Sequence, residues 1–308
     1  MTIQQLEYVV AVDKYRHFVR AAEACGVTQS TLSAMIMKLE TELGLTIFDR
    51  NSHPVAVTRA GMAVVDQARV VLFNAQQLRE MVLSDKQLTS GELSLAIIPT
   101  VAPYILPRLF KELSHANSEV RLRVYEMRTE HIIDKLEKAE IDMAILATPL
   151  LRESLLEVPL YYEKFVAYVS PSEPLFAQPE IQARQMPSQH LWVLQEGHCL
   201  RNQVFNFCEH RSEHSTMYEA GSIDTLVKIV DENGGYTVIP ELHIPLLDMV
   251  QQAQIRRFVA PEPVREISLV FRQDYVRQGM VNFIAQAIRT IIPEGMVDSR
   301  LKKFAIKL

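Results

Sequence analysis

Cys199 and Cys208 stand nine residues apart in the stretch Gly197-His198-Cys199-Leu200-Arg201-Asn202-Gln203-Val204-Phe205-Asn206-Phe207-Cys208. A pair of thiols this close in sequence points to redox chemistry. Wound as a helix at about 100° per residue, the stretch puts Leu200, Val204, Phe207 and Cys208 on one apolar side. Cys199 falls opposite, at the first turn, beside Asn202, Gln203 and Asn206. The thiols are then roughly half a turn out of phase and about 13 Å apart along the axis. A disulfide needs Cα atoms within roughly 7 Å. The helical form therefore cannot contain that bond, and joining the two cysteines must unwind it.

Cys199 is expected to be the exposed and activated member. His198 precedes it, Arg201 follows, and a helix N-terminus offers unpaired N–H groups and positive potential. These features lower a thiol pKa and raise the reactive thiolate fraction. A blander reading makes both thiols small buried apolar residues in a reducing cytosol. A metal reading draws on His198, Cys199, Cys208, His210 and His214, but their spacing matches no compact zinc pattern. Neither a metal nor an organic cofactor is expected.

The elements that must position these residues follow from the whole chain. Its 308 residues are enough for two or three domains. A net charge of −5 supplies no global basic field for nucleic acid, and three cysteines are too few for a secreted disulfide framework. Met1-Thr2-Ile3-Gln4-Gln5-Leu6-Glu7 is no signal peptide and no apolar run reaches membrane-spanning length. The expectation is a cytoplasmic protein without a membrane partner.

Residues 1–58 read as short helices and a hairpin. Leu6, Val9, Val10 and Val12 mark a first helix, and residues 18–25 a second, stopped by Gly26. Thr28 is a natural N-cap for a third helix over 29–43, with Leu32, Ile36, Leu39 and Leu43 on one stripe and Gly44 at its end. Residues 45–50 and 55–58 then form a hairpin with His53-Pro54 at its tip. This order describes a winged helix-turn-helix that binds double-stranded DNA. Gln29, Ser30, Thr31 and Ser33 project from the third helix toward base edges, while Lys38, Arg50 and His53, with Arg20 and Arg59, are expected at the backbone. Charge alone does not show it: through residue 59 six basic residues face six acidic ones. Cys25 is read as packing.

Ala21-Ala22, Val27-Thr28-Gln29-Ser30-Thr31-Leu32-Ser33, Ile36, Leu39-Glu40, Leu43-Gly44-Leu45, Phe48-Asp49-Arg50 and Thr58-Arg59-Ala60-Gly61 resemble the DNA-binding signature of LysR-type transcriptional regulators. The match covers the first quarter of the chain, and the order of later elements fits the family. Residues 59–88 read as one long helix with Val64, Ala68, Val71, Ala75, Leu78 and Val82 at three-four spacing. The resemblance implies a linker helix that pairs two copies, and a dimer of such dimers. Packing back on its own domain is the alternative. Thr89-Ser90-Gly91 is the hinge into a regulatory domain over 89–308.

In that domain strands are expected at 92–98, 120–126, 143–147, 155–159, 165–169, 191–194, 235–239 and 267–271. Helices are expected at 103–113, 131–137, 224–232 and 276–291. The early alternation predicts a parallel α/β sheet. The resemblance implies two subdomains like those of periplasmic binding proteins, I (91–162 and 266–308) and II (163–265), with crossovers near Glu163 and Arg265. Ligands in open α/β sheets sit beyond the C-terminal strand ends, where Thr100 and Thr129 both fall.

Within the family, Gly197-His198-Cys199-Leu200-Arg201 with Cys208, Ile98-Pro99-Thr100-Val101-Ala102-Pro103-Tyr104 and Pro261-Glu262-Pro263 with Arg265 resemble the hydrogen-peroxide-sensing members. That resemblance implies a peroxidatic Cys199, a resolving Cys208, and a peroxide pocket of Thr100, Thr129, His198 and Arg265. It also implies RNA polymerase as a partner and a cellular dithiol as the reductant that resets the switch. Asn202 stands where such members usually carry an acid, and Met217 where a histidine is common. The rival readings are a regulator bound by a small organic effector in the same crevice, a thiol peroxidase, and a transport-type binding protein.

Overall fold

The computed structural model describes residues 1–83, 90–115, 119–187, 189–207 and 219–298, which fall into two compact units. Cys208, His210, His214 and Met217 lie outside the described residues, as do the expected end of the linker helix, Thr89 and the last ten residues.

The first unit begins with α1 (Ile3–Tyr15), where Thr2 and Gln5 form a capping box: the Gln5 N–H donates to Thr2 Oγ1 at 3.2 Å and the Thr2 N–H to Gln5 Oε1 at 2.8 Å. Helix α2 (Phe18–Ala24) stops because Gly26 turns left-handed. The Gly26 and Val27 N–H groups then reach back to the carbonyls of Glu23 and Ala22. Helix α3 (Gln29–Leu43) starts where Thr28 Oγ1 accepts the Thr31 N–H at 3.2 Å and ends at Gly44, φ 68°. Leu32, Ile36 and Leu39 are fully buried against Leu6, Val9 and Val12 of α1, whereas Leu43 sits exposed on the last turn.

The wing is shorter than the sequence predicts: β1 (Phe48–Asp49) pairs antiparallel with β2 (Ala56–Val57). The Ile47 and Phe48 N–H groups go to Glu40 Oε1 at 2.7 and 3.2 Å, so they are not available to a facing strand. Helix α4 (Arg59–Leu83) follows. A Cβ at Gly61 would lie 2.3 Å from the Ile47 carbonyl oxygen, so only glycine lets α4 start this close to the wing. The expected seam divides. Val65 and Ala68 are buried in the domain's own core with Val64, Val71 and Leu72 against it, while Leu78 is 58% exposed. Arg69 ties α4 to Asp13 of α1 through an ion pair.

The second unit opens with β3 (Ser90–Ile97), α5 (Ala102–His115), β4 (Glu119–Glu126), α6 (Thr129–Glu137) and β5 (Met143–Thr148). Then come β6 (Leu155–Val169), β7 (Glu180–Ile181), β8 (Val193–Leu194), α7 (Cys199–Phe207), β9 (Glu219–Ala220) and α8 (Ile223–Asn233). The unit closes with β10 (Tyr236–Pro240), α9 (Met249–Gln252), β11 (Ile255–Phe258), β12 (Val264–Arg272) and α10 (Gln278–Ile291). The main sheet runs β4-β3-β5-β12-β6-β11-β7, with β10 also on β6. Helices on an α/β sheet in two subdomains match the expected class.

Two expectations need correcting. The sheet is mixed: β4, β3 and β5 are parallel, but β12 and β6 run antiparallel to their neighbours. The strands expected at 155–159 and 165–169 are one strand of 15 residues. Pro159, which cannot donate to the ladder, is accommodated where the register against β12 shifts between Ile267 and Ser268. Its first part pairs with β12 and its end with β10 and β11, so it belongs to both subdomains. The predicted crossovers lie inside these strands, with Arg265 directly opposite Glu163. Among the described residues no helix is long and apolar enough to cross a membrane.

Candidate functional site

Cys199 is the first residue of α7. The chain enters through Gly197 at φ 89°, where a Cβ would press within 3.0 Å of Arg128 Cδ. Arg128 Nη2 donates to Gln195 Oε1 at 2.5 Å, anchoring the loop before α7 to the start of α6.

The thiol is not exposed as expected: Cys199 is 7% accessible. Burial pushes it above the ordinary thiol range, opposed by the Arg265 charge, the Thr129 hydroxyl and the N–H groups of Leu200 and Cys199 itself. His198 is buried too, and burial, then the Arg128 charge, hold its imidazole below the usual range. It is therefore a neutral neighbour and no cationic activator. Tertiary burial of Cys199 outweighs the helix N-terminus. Gln203, expected on the polar side, is also buried, with no hydrogen-bond partner for either amide atom among the described residues.

Around the sulfur the predicted residues converge. Thr129 Oγ1 is buried with no hydrogen-bond partner among the described residues, and its hydroxyl favours the Cys199 thiolate. Arg265 is fully buried and acts electrostatically on Cys199. Its Nη1 donates to Thr100 Oγ1 and its Nη2 to the Thr100 carbonyl, both at 3.0 Å. Thr100 and Thr129 thus follow β3 and β4, Arg265 stands at the start of β12, and Arg265 joins Thr100 to the charge felt by the Cys199 sulfur. Two residues went unrecognised as site components. Glu163 accepts from Arg265 Nε at 2.9 Å, and the Tyr104 hydroxyl accepts from Arg265 Nη2 at 2.6 Å. A carboxylate between Tyr162 and the apolar run from Phe165 to Val169 is the available signal for Glu163. Among the described residues no group of three His, Cys, Asp or Glu side chains is placed to hold a metal, and Cys25 and Cys199 are free thiols.

In the first unit Gln29, Ser30 and Thr31 are exposed on the opening turn of α3, and Lys38 and His53 are exposed as well. Thr28 Oγ1 lies 3.0 Å from Ser30 Oγ and 2.8 Å from Thr31 Oγ1, which orders these hydroxyls. Arg50 differs from expectation. It donates to Ser33 Oγ and to Glu40 Oε2, each at 2.9 Å, and its guanidinium lies 5.2 Å from the Phe18 ring centre. Both Arg50 and half-buried Ser33 are engaged in holding the wing to α3.

Residues 3–62 match the family described as bacterial regulatory helix-turn-helix protein, lysR family, and residues 86–291 match the LysR substrate binding domain. The chain belongs to the LysR family of transcriptional regulators. It is 36% identical over 289 residues to the hydrogen peroxide-inducible genes activator of Haemophilus influenzae, covering 94% of this chain and 96% of that one. A full-length OxyR variant from Pseudomonas aeruginosa superposes with a TM-score of 0.79 at 33% identity, covering 94% of this chain and 98% of the other. An H2O2-bound OxyR cysteine mutant from Corynebacterium glutamicum gives 0.62 at 26% identity, with 94% of each chain covered. Within the LysR family the chain therefore falls in the OxyR group, a group of regulators and not of enzymes, which sets the thiol peroxidase reading aside.

Proposed function

We propose that this DNA-binding activator senses hydrogen peroxide through Cys199 and reports it by forming a disulfide with Cys208. The convergence of Thr129, Thr100 and Arg265 on one buried thiol carries the reading. It supplies donors for a thiolate and for a small dihydroxylic molecule. The H2O2-bound relative supports the same ligand class.

Peroxide enters the pocket of Thr100, Thr129, His198 and Arg265. The Cys199 sulfur attacks one oxygen as the O–O bond breaks, and the leaving oxygen takes the thiol proton and departs as water. Sulfur is oxidised to sulfenic acid as peroxide is reduced. The Cys208 thiol then displaces the sulfenic oxygen as a second water, closing the disulfide. A helix continued from α7 through residue 208 would set the two cysteines about 13 Å apart along its axis, so in that form the bond requires α7 to unwind and Leu200 and Val204 to leave their core positions. Two electrons from a cellular dithiol restore the thiols.

The change passes to paired α4 helices in a homodimer, assembled as a dimer of dimers in the cytosol. It re-spaces α3 on DNA and alters recruitment of RNA polymerase. Gln29, Ser30, Thr31 and Ser33 read base edges, and Lys38, Arg50 and His53 support the backbone contact. Functionally the chain divides into a reader (1–58), a linker (59–88) and a sensor (89–308). The test compares footprints on the protein's own upstream DNA, reduced and after mild peroxide, for wild type and Cys199→Ser. A 199–208 crosslink by mass spectrometry and a footprint change lost only in Cys199→Ser are expected. A response that survives in Cys199→Ser overturns the reading.

A further inference from the structure

The buried charge nearest the thiol has its own buried counter-charge. Glu163 and Arg265 are both fully inaccessible, lie opposite each other on β6 and β12, and approach to 2.8 Å. The carboxylate is saturated with donors: Oε2 accepts from Arg265 Nε at 2.9 Å and from the Tyr104 hydroxyl at 3.0 Å, and Oε1 from the Leu242 N–H at 3.1 Å. The remaining guanidinium edge points to Thr100 and Tyr104. Phe165 lies 5.6 Å from the guanidinium and completes its enclosure. Glu163 is therefore held from both subdomains, by α5 through Tyr104 and by the segment after β10 through Leu242.

We propose that Glu163 is a positioning residue for the sensor: its carboxylate aims Arg265 at Thr100 and offsets part of the guanidinium charge felt by Cys199, setting how fast peroxide is reduced. The inference rests on Cys199 being the sensing thiol. Burial pushes the Glu163 carboxyl up, and Arg265 with the hydrogen-bond donors opposes this. Burial also works against the Arg265 charge, but Tyr104 and Glu163 outweigh it and the guanidinium stays cationic. The other groups that bear on the thiol are Thr129, beside the sulfur, and the adjacent neutral His198, itself influenced by Arg128; Tyr161 bears on Arg265. None of these supplies a second negative charge. Removing the Glu163 charge leaves Arg265 uncompensated, stabilises the thiolate and makes the sensor more sensitive.

The step read is the sulfenylation above, one sulfur oxidised as one peroxide is reduced to water. The reduced full-length protein is mixed with hydrogen peroxide from about pH 6 to about pH 11, quenched, and the free Cys199 thiol counted by mass spectrometry. In Glu163→Gln the midpoint of the rate against pH should fall by about one unit, so that oxidation below the midpoint is about tenfold faster. Glu163→Asp, which restores the charge, should return the midpoint toward wild type. Tyr104→Phe, which withdraws one acceptor from the guanidinium, should be about threefold faster and stands as the test if Glu163→Gln does not fold. Wild-type pH profiles in every folded variant overturn the role of Glu163. If peroxide leaves wild-type Cys199 untouched, the sensor reading falls instead.

Discussion

Replacing Thr129 by valine should make the protein a poorer sensor without making it less stable. The hydroxyl is buried with no hydrogen-bond partner among the described residues, so in the resting protein, before the thiol ionises, it carries a desolvation cost of about 1–3 kcal/mol that valine removes at nearly the same volume. For a protein of this size each kcal/mol moves the melting temperature by roughly 2–4 °C. Thr129→Val is therefore expected to melt at or a few degrees above wild type. The same hydroxyl lowers the Cys199 pKa as a donor to the sulfur. A hydrogen bond to a charged group is worth about 1.5–3 kcal/mol. Oxidation of Cys199 at neutral pH should slow by about tenfold to a hundredfold. Quenched-flow oxidation with mass spectrometric counting, beside a thermal melt, measures both. A variant that melts lower and reacts at the wild-type rate refutes the reasoning, because the hydroxyl would then serve the fold alone.

Two further outcomes separate the remaining roles. Arg50→Ala removes two hydrogen bonds and the Phe18 contact and should destabilise the N-terminal unit by about 1–3 kcal/mol, seen by denaturant unfolding. Lys38→Ala should leave stability unchanged and reduce the slope of log DNA affinity against log salt by about one; equal effects of the two on folding would contradict the assignment. For Cys199, burial raises the folded thiol pKa above its ordinary 9.0. The unfolded chain thus ionises first, and the stability contribution is present below pH 9 and lost as pH rises toward the folded value. Urea unfolding should show stability falling by up to about 1.4 kcal/mol per pH unit above pH 9, with that part of the fall absent in Cys199→Ser.

Local grammar made most of the N-terminal unit legible. Thr28, Gly26 and Gly44 set helix ends through their own capping atoms, and Leu32, Ile36 and Leu39 set a stripe, all within a few residues of sequence. Legibility failed where distant segments decide. Cys199 and Gln203 lie on a polar-looking face, yet both are buried in the folded unit. Arg50 looked like a free wing cation because nothing in its neighbourhood announces Glu40 and Ser33. The sequence reads as two strands, 155–159 and 165–169, where the structure has the single β6, and the bulge that admits Pro159 is a property of β12 as much as of β6. Glu163 and Arg265 were marked as places where the chain crosses between subdomains. That they face each other in register emerges only from the pairing of two strands a hundred residues apart.

Because β6 continues unbroken into both halves of the regulatory unit, with β12 laddered beside it at Glu163, the halves share a stiff two-ply ribbon instead of slack tethers. Folding the halves together around a guest would shear those ladder bonds and strain the ion pair buried among them. Unwinding α7 instead draws Leu200 and Val204 from the core of one half and leaves the ladder between β6 and β12 intact. Such a frame favours a response to a covalent event at a single atom over one that measures the bulk of what it encloses.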